Sequence, residues 1–229
     1  MRRSPESGVT LIEVMIAVSL VGLVSAGILT ALRVGVSAME KSNRLLEANR
    51  RVIGVQRIIE QQVAGLMPVF TFCRPAPDDP PQRRLFFQGE PASMRFVSSY
   101  SLEEAARGYA RILEFQVIPG ANHRGVRLVV NERLYTGPDA TGAICRAPIV
   151  AGPRSFVLAD RLAYCRFRYQ EAPLPPRPRQ WVEVWVEQTP PVAVRIEMAP
   201  LEPDPSRLQV GTMTLPIRAS RTPGVAYED

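Results

Sequence analysis

Val14 to Leu32 reads VMIAVSLVGLVSAGILTAL, nineteen residues without a charged side chain. As a helix it is about 28 Å long, close to the hydrocarbon thickness of a bilayer. A core helix of a globular domain keeps polar residues over five turns. A secretory signal peptide would have an apolar region of roughly 7–15 residues ending at a small-x-small site. Ser25-Ala26-Gly27 offers small residues, but apolar sequence continues through Ile28, Leu29 and Leu32. The run therefore predicts a membrane-spanning helix.

The residues ahead of it narrow the reading. A short polar leader, MRRSPESG, precedes Val9-Thr10-Leu11-Ile12-Glu13-Val14. This string resembles the leader and first helical turns of type IV prepilins and type II secretion pseudopilins. The resemblance implies that a prepilin peptidase of the aspartyl class cuts between Gly8 and Val9 on the cytoplasmic side and then methylates the new Val9 amine. The family most often has Phe after the cut, where this chain has Val9. Cutting ahead of the apolar run leaves the membrane helix on the mature protein. Gly8, with no Cβ, gives a peptidase close access to the backbone. An amine at a helix N-terminus meets the positive end of the macrodipole. Glu13, four residues on, can compensate it, or can meet a neighbouring subunit's amine and so set register during assembly. An acid within a membrane helix is a functional candidate by default. Arg2 and Arg3 favour a cytoplasmic N-terminus.

Apolar residues recur beyond Leu32 at Leu45, Ala48, Val52, Val55, Ile59, Val63 and Leu66. That spacing is one stripe of an amphipathic helix. Pro68 is the first proline after Pro5, so the pattern predicts one helix from Val9 to Met67. Its second half is expected to dock on a globular head.

From Pro68 the composition changes. Pro, at 22 of 229 residues, is about twice as frequent as average and counts against a helical bundle. Period-two alternation predicts about eight strands: Met94–Tyr100, Tyr109–Ile118, Val126–Tyr135, Arg154–Leu158, Leu162–Tyr169, Trp181–Glu187, Val192–Met198 and Leu208–Ile217. Loops of Pro, Gly and Ala join them. The expected class is α+β: a long pilin-type N-terminal helix, transmembrane in its first half, packed on a mainly antiparallel sheet. The expected organisation is leader 1–8, membrane and assembly helix 9–32, amphipathic continuation 33–67 and periplasmic head 68–229. Arg161–Tyr169 (RLAYCRFRY), Trp181, Trp185 and Pro190–Ile196 (PPVAVRI) also resemble the C-terminal half of J-type minor pseudopilins.

One His and three unclustered Cys leave little for catalysis or metal binding. Cys73, Cys145, Cys165 and His123 lack the close cysteine pairs of a zinc site. Ser155, Asp160 and His123 come without a G-x-S-x-G motif, and Asp78, Asp79, Asp139 and Asp204 do not form a calcium loop. No enzyme activity, metal or cofactor is expected. In the oxidising periplasm that the resemblance implies, Cys73 and Cys145, both in loops, are the favoured disulfide pair; Cys145–Cys165 is the rival. The net charge of +6 rests on 28 basic residues, of which Lys41 is the one lysine. Arg124, Arg127, Arg166 and Arg168 read as solvated strand positions, so nucleic acid is not an expected partner.

The resemblance implies a minor pseudopilin at the tip of a type II secretion pseudopilus. It would be an inner-membrane protein with a cytoplasmic N-terminus. Its partners would be I-, K- and H-type minor subunits, the major pseudopilin, prepilin peptidase, the inner-membrane assembly platform and the lipid bilayer. The alternatives are a minor type IV pilin and a membrane-tethered periplasmic binding protein or enzyme.

Overall fold

The computed structural model describes residues 8–74, 79–145, 147–153, 155–172 and 178–218. The leader ahead of Gly8, residues 75–78, Arg146, Arg154, residues 173–177 and the tail beyond Arg218 lie outside the described residues. The chain divides into two compact units, Met1–Ala48 and Asn49–Asp229. Helix α1 (Leu11–Ala64) starts in the first and ends in the second.

In the first unit every helical residue from 11 to 44 is exposed. The hydroxyls of Ser19 and Thr30 donate to the carbonyls of Met15 and Ala26, each at 2.8 Å. Both polar side chains thus find partners one turn back within the helix, as hydrocarbon surroundings require.

In the second unit the apolar stripe turns inward. Val55, Ile59 and Val63 are buried, while Arg50, Arg51, Arg57 and Glu60 stay exposed. The helix ends at Ala64, earlier than the spacing predicts, and Leu66 is buried from a strand, β1 (Leu66–Met67). Gly65, rather than Pro68, is the break. Its N–H donates to the Gln61 carbonyl at 2.9 Å, and its own carbonyl accepts from the Ser99 N–H at 2.8 Å. A Cβ at Gly65 would lie 2.7 Å from the Ser98 hydroxyl, so this backbone approach needs glycine.

The remaining strands are β2 (Phe70–Cys73), β3 (Gln82–Leu85), β4 (Phe87–Gly89), β5 (Ser93–Ser101), β6 (Ala106–Pro119), β7 (Val126–Leu134), β8 (Phe156–Gln170), β9 (Trp181–Val182), β10 (Ala193–Pro200) and β11 (Met213–Pro216), with a short helix α2 (Pro138–Gly142). Nine strands form one sheet in the order β1-β5-β6-β7-β8-β10-β11, with β4 on β5 and β9 on β8; β2 and β3 make a separate ribbon. All pairings are antiparallel. The class is α+β, a long N-terminal apolar helix followed by a mainly antiparallel sheet.

Several strands differ from their expected extents. Phe156–Leu158 of the expected Arg154–Leu158 strand and all of Leu162–Tyr169 belong to one strand, β8, because Arg161 takes a left-handed φ of 55° and absorbs a bulge between them. The bulge slips the face: Leu162 is buried and Ala163 exposed, before Cys165, Phe167 and Tyr169 resume inward alternation. Only Trp181 and Val182 of the Trp181–Glu187 pattern are strand. Trp185 instead pairs with Gly89 as an isolated bridge and buries its ring. Leu208–Ile217 shortens to Met213–Pro216.

Strand β5 is buried on both faces. Met94 and Phe96 join Ile59, Val63, Phe115 and Phe167 in the main core, whereas Val97 packs with Phe86 and Ile112 in a second cluster. Among the aromatic residues of the main core, Phe87 meets Tyr169 edge-on at 5.7 Å and Trp185 at 6.5 Å. The Tyr169 hydroxyl donates to the Glu90 and Ser93 carbonyls at 3.0 and 3.2 Å. Gly89 lies flat on the same ring: a Cβ there would fall 2.6–2.8 Å from three ring atoms. Gly89→Ala is therefore expected to destabilise the head by about 2–3 kcal/mol, the usual cost of overpacking a filled core. Denaturant titration of the detergent-solubilised chain checks it; an unchanged midpoint would contradict the packing.

Candidate functional site

The N-terminal segment is built around Thr10. Its carbonyl accepts the N–H of Glu13 at 3.1 Å and of Val14 at 3.3 Å, which makes Thr10 the residue at which α1 begins. Gly8, Val9 and Thr10 precede the helix and are exposed. The spacing reading starts the helix at Val9; the structure starts it at Leu11. The signal was present in Thr10-x-x-Glu13, the residue pattern of a helix-capping box, with Val9 and Val14 at the positions of a hydrophobic staple.

A Cβ built on Gly8 meets nothing within 4 Å, and Gly8 does not have a left-handed φ. Among the described residues nothing fills the space that a Gly8 side chain would take. Glu13 lies in the first turn of α1, where a carboxylate suits the helix dipole. Among the described residues it forms no ion pair within 4.0 Å. From Val14 to Leu32 the helix then presents Val, Leu, Ile, Met and small residues on all sides, none of them buried. By length and composition this segment can cross a membrane.

The other sequence candidates fall apart chemically. Ser155 donates to Asn131 and Asp160 accepts from Arg127 at 2.7 Å, a bond that holds the Asp160 carboxyl below its usual range. His123 is exposed in the β6–β7 turn. No hydrogen bond joins these three among the described residues. Arg166 and Arg168 lie beside Glu197, at 3.8 and 4.0 Å, and Arg168 also beside Glu183 at 3.3 Å. Arg124 pairs with Glu202 and Arg127 with Asp160. The basic strand residues are thus interleaved with acids rather than gathered into an open cationic surface.

The structure bonds Cys73 of β2 to Cys145, with Cα atoms 6.1 Å apart at a sequence separation of 72. Cys165 is a free, buried thiol. Burial pushes it up to about 12, so it carries no nucleophilic thiolate near neutral pH. Among the described residues no group of three His, Cys, Asp or Glu side chains is placed to hold a metal.

Sequence patterns did not disclose a buried polar network in the head. Arg95 of β5 and Glu114 of β6 are each 1% exposed and meet at 2.9 Å. Arg95 also donates to Gln88 at 3.1 Å and to the carbonyls of Ile144 and Ala147 at 2.6 and 3.0 Å. Arg133 of β7 reaches both Glu114 oxygens at 2.7 Å. This network ties the loop after α2 to the large sheet, and the Cys73–Cys145 bond ties it to the β2–β3 ribbon. It is a scaffold, since its charges are spent on one another.

Residues 3–29 match a family model described as the prokaryotic N-terminal methylation motif. No curated protein and no solved structure matches the chain. The matched segment contains Gly8, Val9, the helix start at Thr10 and Glu13, and runs through most of the apolar stretch. A methylation motif leading into a wholly exposed apolar helix, followed in the chain by an antiparallel sheet, supports a protein of the type IV pilin-like and pseudopilin class.

Proposed function

We propose that this chain is a minor pseudopilin of a type II secretion system, a structural subunit of the pseudopilus tip that helps start assembly. The observation that carries the reading is the junction at residues 8–13, where an exposed Gly8–Val9 bond stands just ahead of an apolar helix with Glu13 in its first turn, a carboxylate without an ion pair among the described residues. Peptidase cleavage there removes the leader without removing the membrane anchor. Val9 becomes the methylated terminus, and Glu13 pairs with a neighbour's amine to set register. The head faces the periplasm. Arg2 and Arg3 in the leader favour that orientation, and the Cys73–Cys145 bond suits an oxidising compartment. The J-type assignment rests on RLAYCRFRY, Trp185 and PPVAVRI. Of these, Phe167, Tyr169, Trp185, Val194 and Ile196 form part of the main core. The partners are other pseudopilins, prepilin peptidase and the inner-membrane assembly platform, and the chain is not an enzyme.

The test is co-expression with and without prepilin peptidase, followed by intact mass measurement. The expected product begins at Val9 and carries one added methyl group, and it forms only when the peptidase is present. A chain that keeps residues 1–8 in both cultures would overturn the proposal.

A further inference from the structure

We propose that the outer edge of β3 and β4 is a docking site for a partner protein, which adds an extended segment there with apolar and acidic residues in alternation. The site belongs to the head alone and does not depend on leader removal.

The Phe86 N–H donates to the Val69 carbonyl at 2.9 Å, and the Glu90 N–H to the Ser93 carbonyl at 2.8 Å. In an antiparallel ladder, hydrogen-bonded and non-bonded pairs alternate along the strands. Leu85 stands opposite Phe70 and Phe87 opposite Phe96, so both fall at non-bonded positions. Their N–H and C=O groups therefore point away from β2 and β5. Gly89 is in the same phase, and its carbonyl accepts the Trp185 N–H at 2.9 Å. The edge thus already takes one bond from an added backbone. That bridge is isolated: among the described residues Glu187 does not go on to bond Phe87, and no other backbone bonds Leu85. Unpaired strand groups of this kind are a template for a further strand.

A cavity of about 350 Å³ lies beside the two residues, with Arg84, Leu85, Phe87, Trp185, Val186 and Glu187 in its walls. Val186 is 77% exposed and offers an apolar contact. Arg83 and Arg84 are exposed and form no ion pair within 4.0 Å among the described residues. Arg83 lies instead over the Phe70 ring, at 4.3 Å. The Glu90 carboxylate, also in the wall, is taken up by Gln88 and Ser93 at 2.8 Å each. Glu187 on the far wall repels an acid, which directs the acids of the partner towards β3. Side chains alternate along an added strand, so one segment can set an apolar residue against Val186 and an acid against the arginines.

The test uses the full chain in detergent and three synthetic hexapeptides. One is Ac-Glu-Val-Glu-Val-Glu-Val-amide, the second is the same peptide with its amide nitrogens methylated, and the third has Lys in place of Glu. Tryptophan emission follows binding, and amide hydrogen exchange locates it. The acidic peptide is expected to slow exchange of the Leu85 and Phe87 amides at least about fivefold at saturation. The methylated and Lys peptides are expected to bind at least about tenfold more weakly. Arg84→Glu is expected to reverse the preference between Glu and Lys peptides without moving the denaturant midpoint, because Arg84 is exposed. No response to the acidic peptide up to about 1 mM would overturn the proposal and leave the arginines as guards that keep strands off the edge. Equal binding of the methylated or the Lys peptide would overturn it too. Protection of the Leu85 and Phe87 amides that rises with chain concentration, with no peptide present, would assign the edge to a second copy and overturn it as well.

Discussion

Replacing Arg95 with leucine is expected to destabilise the head by about 3 kcal/mol, within the range for breaking a buried ion pair from one side. Glu114 would stay 1% exposed in a site built around a guanidinium. Gln88 and the carbonyls of Ile144 and Ala147 would lose a donor at the same time. Leucine supplies none, and an unsatisfied buried acceptor costs about 1–3 kcal/mol. Arg133 still reaches both Glu114 oxygens, which places the expected cost at the lower end of the range. Burial pulls the Arg95 guanidinium below its ordinary value, and the neighbouring Glu114 opposes that shift. Arginine's ordinary value is so high that the side chain stays charged regardless. The double variant Arg95→Leu, Glu114→Leu is expected to be less destabilised than the sum of the two single variants, because neither charge is then left alone. Denaturant midpoints of all four chains form the cycle. A cost below about 1 kcal/mol for Arg95→Leu, the size of an exposed pair, would show that the network is not buried as described.

Glu13→Ala is expected to leave membrane insertion and Val9 processing intact while assembly and secretion fall at least about tenfold, the effect of losing one charge-assisted pair of about 1.4 kcal/mol or more. Glu13 lies in the exposed first turn, with no ion-pair partner among the described residues. Removing a carboxylate from an apolar helix makes insertion easier, by a few kcal/mol at mid-bilayer depth. A failure to assemble therefore cannot be assigned to failed insertion. Alanine also favours helix more than glutamate does, so loss of α1 is not the cause either. Membrane fractionation, intact mass and cross-linking of neighbouring subunits separate the three steps. Normal secretion by the variant would refute the register role.

The functional segment was legible because its signals are local. Nineteen uncharged residues need no partner to declare a membrane helix, and Gly8 to Glu13 lie within six consecutive positions. The helix start was legible too, through Thr10-x-x-Glu13, although apolar spacing alone places it two residues early. Periodicity found the long strands β5, β6, β7 and β10. It missed β2, β3 and β4, which have four residues or fewer, too short for alternation to stand out from chance. It also split β8, because a single left-handed residue, Arg161, reverses the in–out phase within an unbroken strand. Alternation could not say that Trp185 would bridge to Gly89 of β4 and pack beside Tyr169 rather than extend β9, since that depends on which strands become neighbours.

The sequence by itself determined a helix apolar enough to cross a membrane, the methylation motif at its start with Glu13 in the first turn, and the division into a helical first part and a sheet-forming remainder. These follow from hydropathy and from spacings of 3.6 and 2 residues, which act over one or two turns of chain. Only the tertiary structure decided that Gly65 ends the helix, that Cys73 meets Cys145 at a sequence separation of 72, and that Arg95, between Met94 and Phe96 on β5, is buried against Glu114. Each depends on which strands become neighbours. Strand order is set by packing the whole core at once, so no window of sequence contains it.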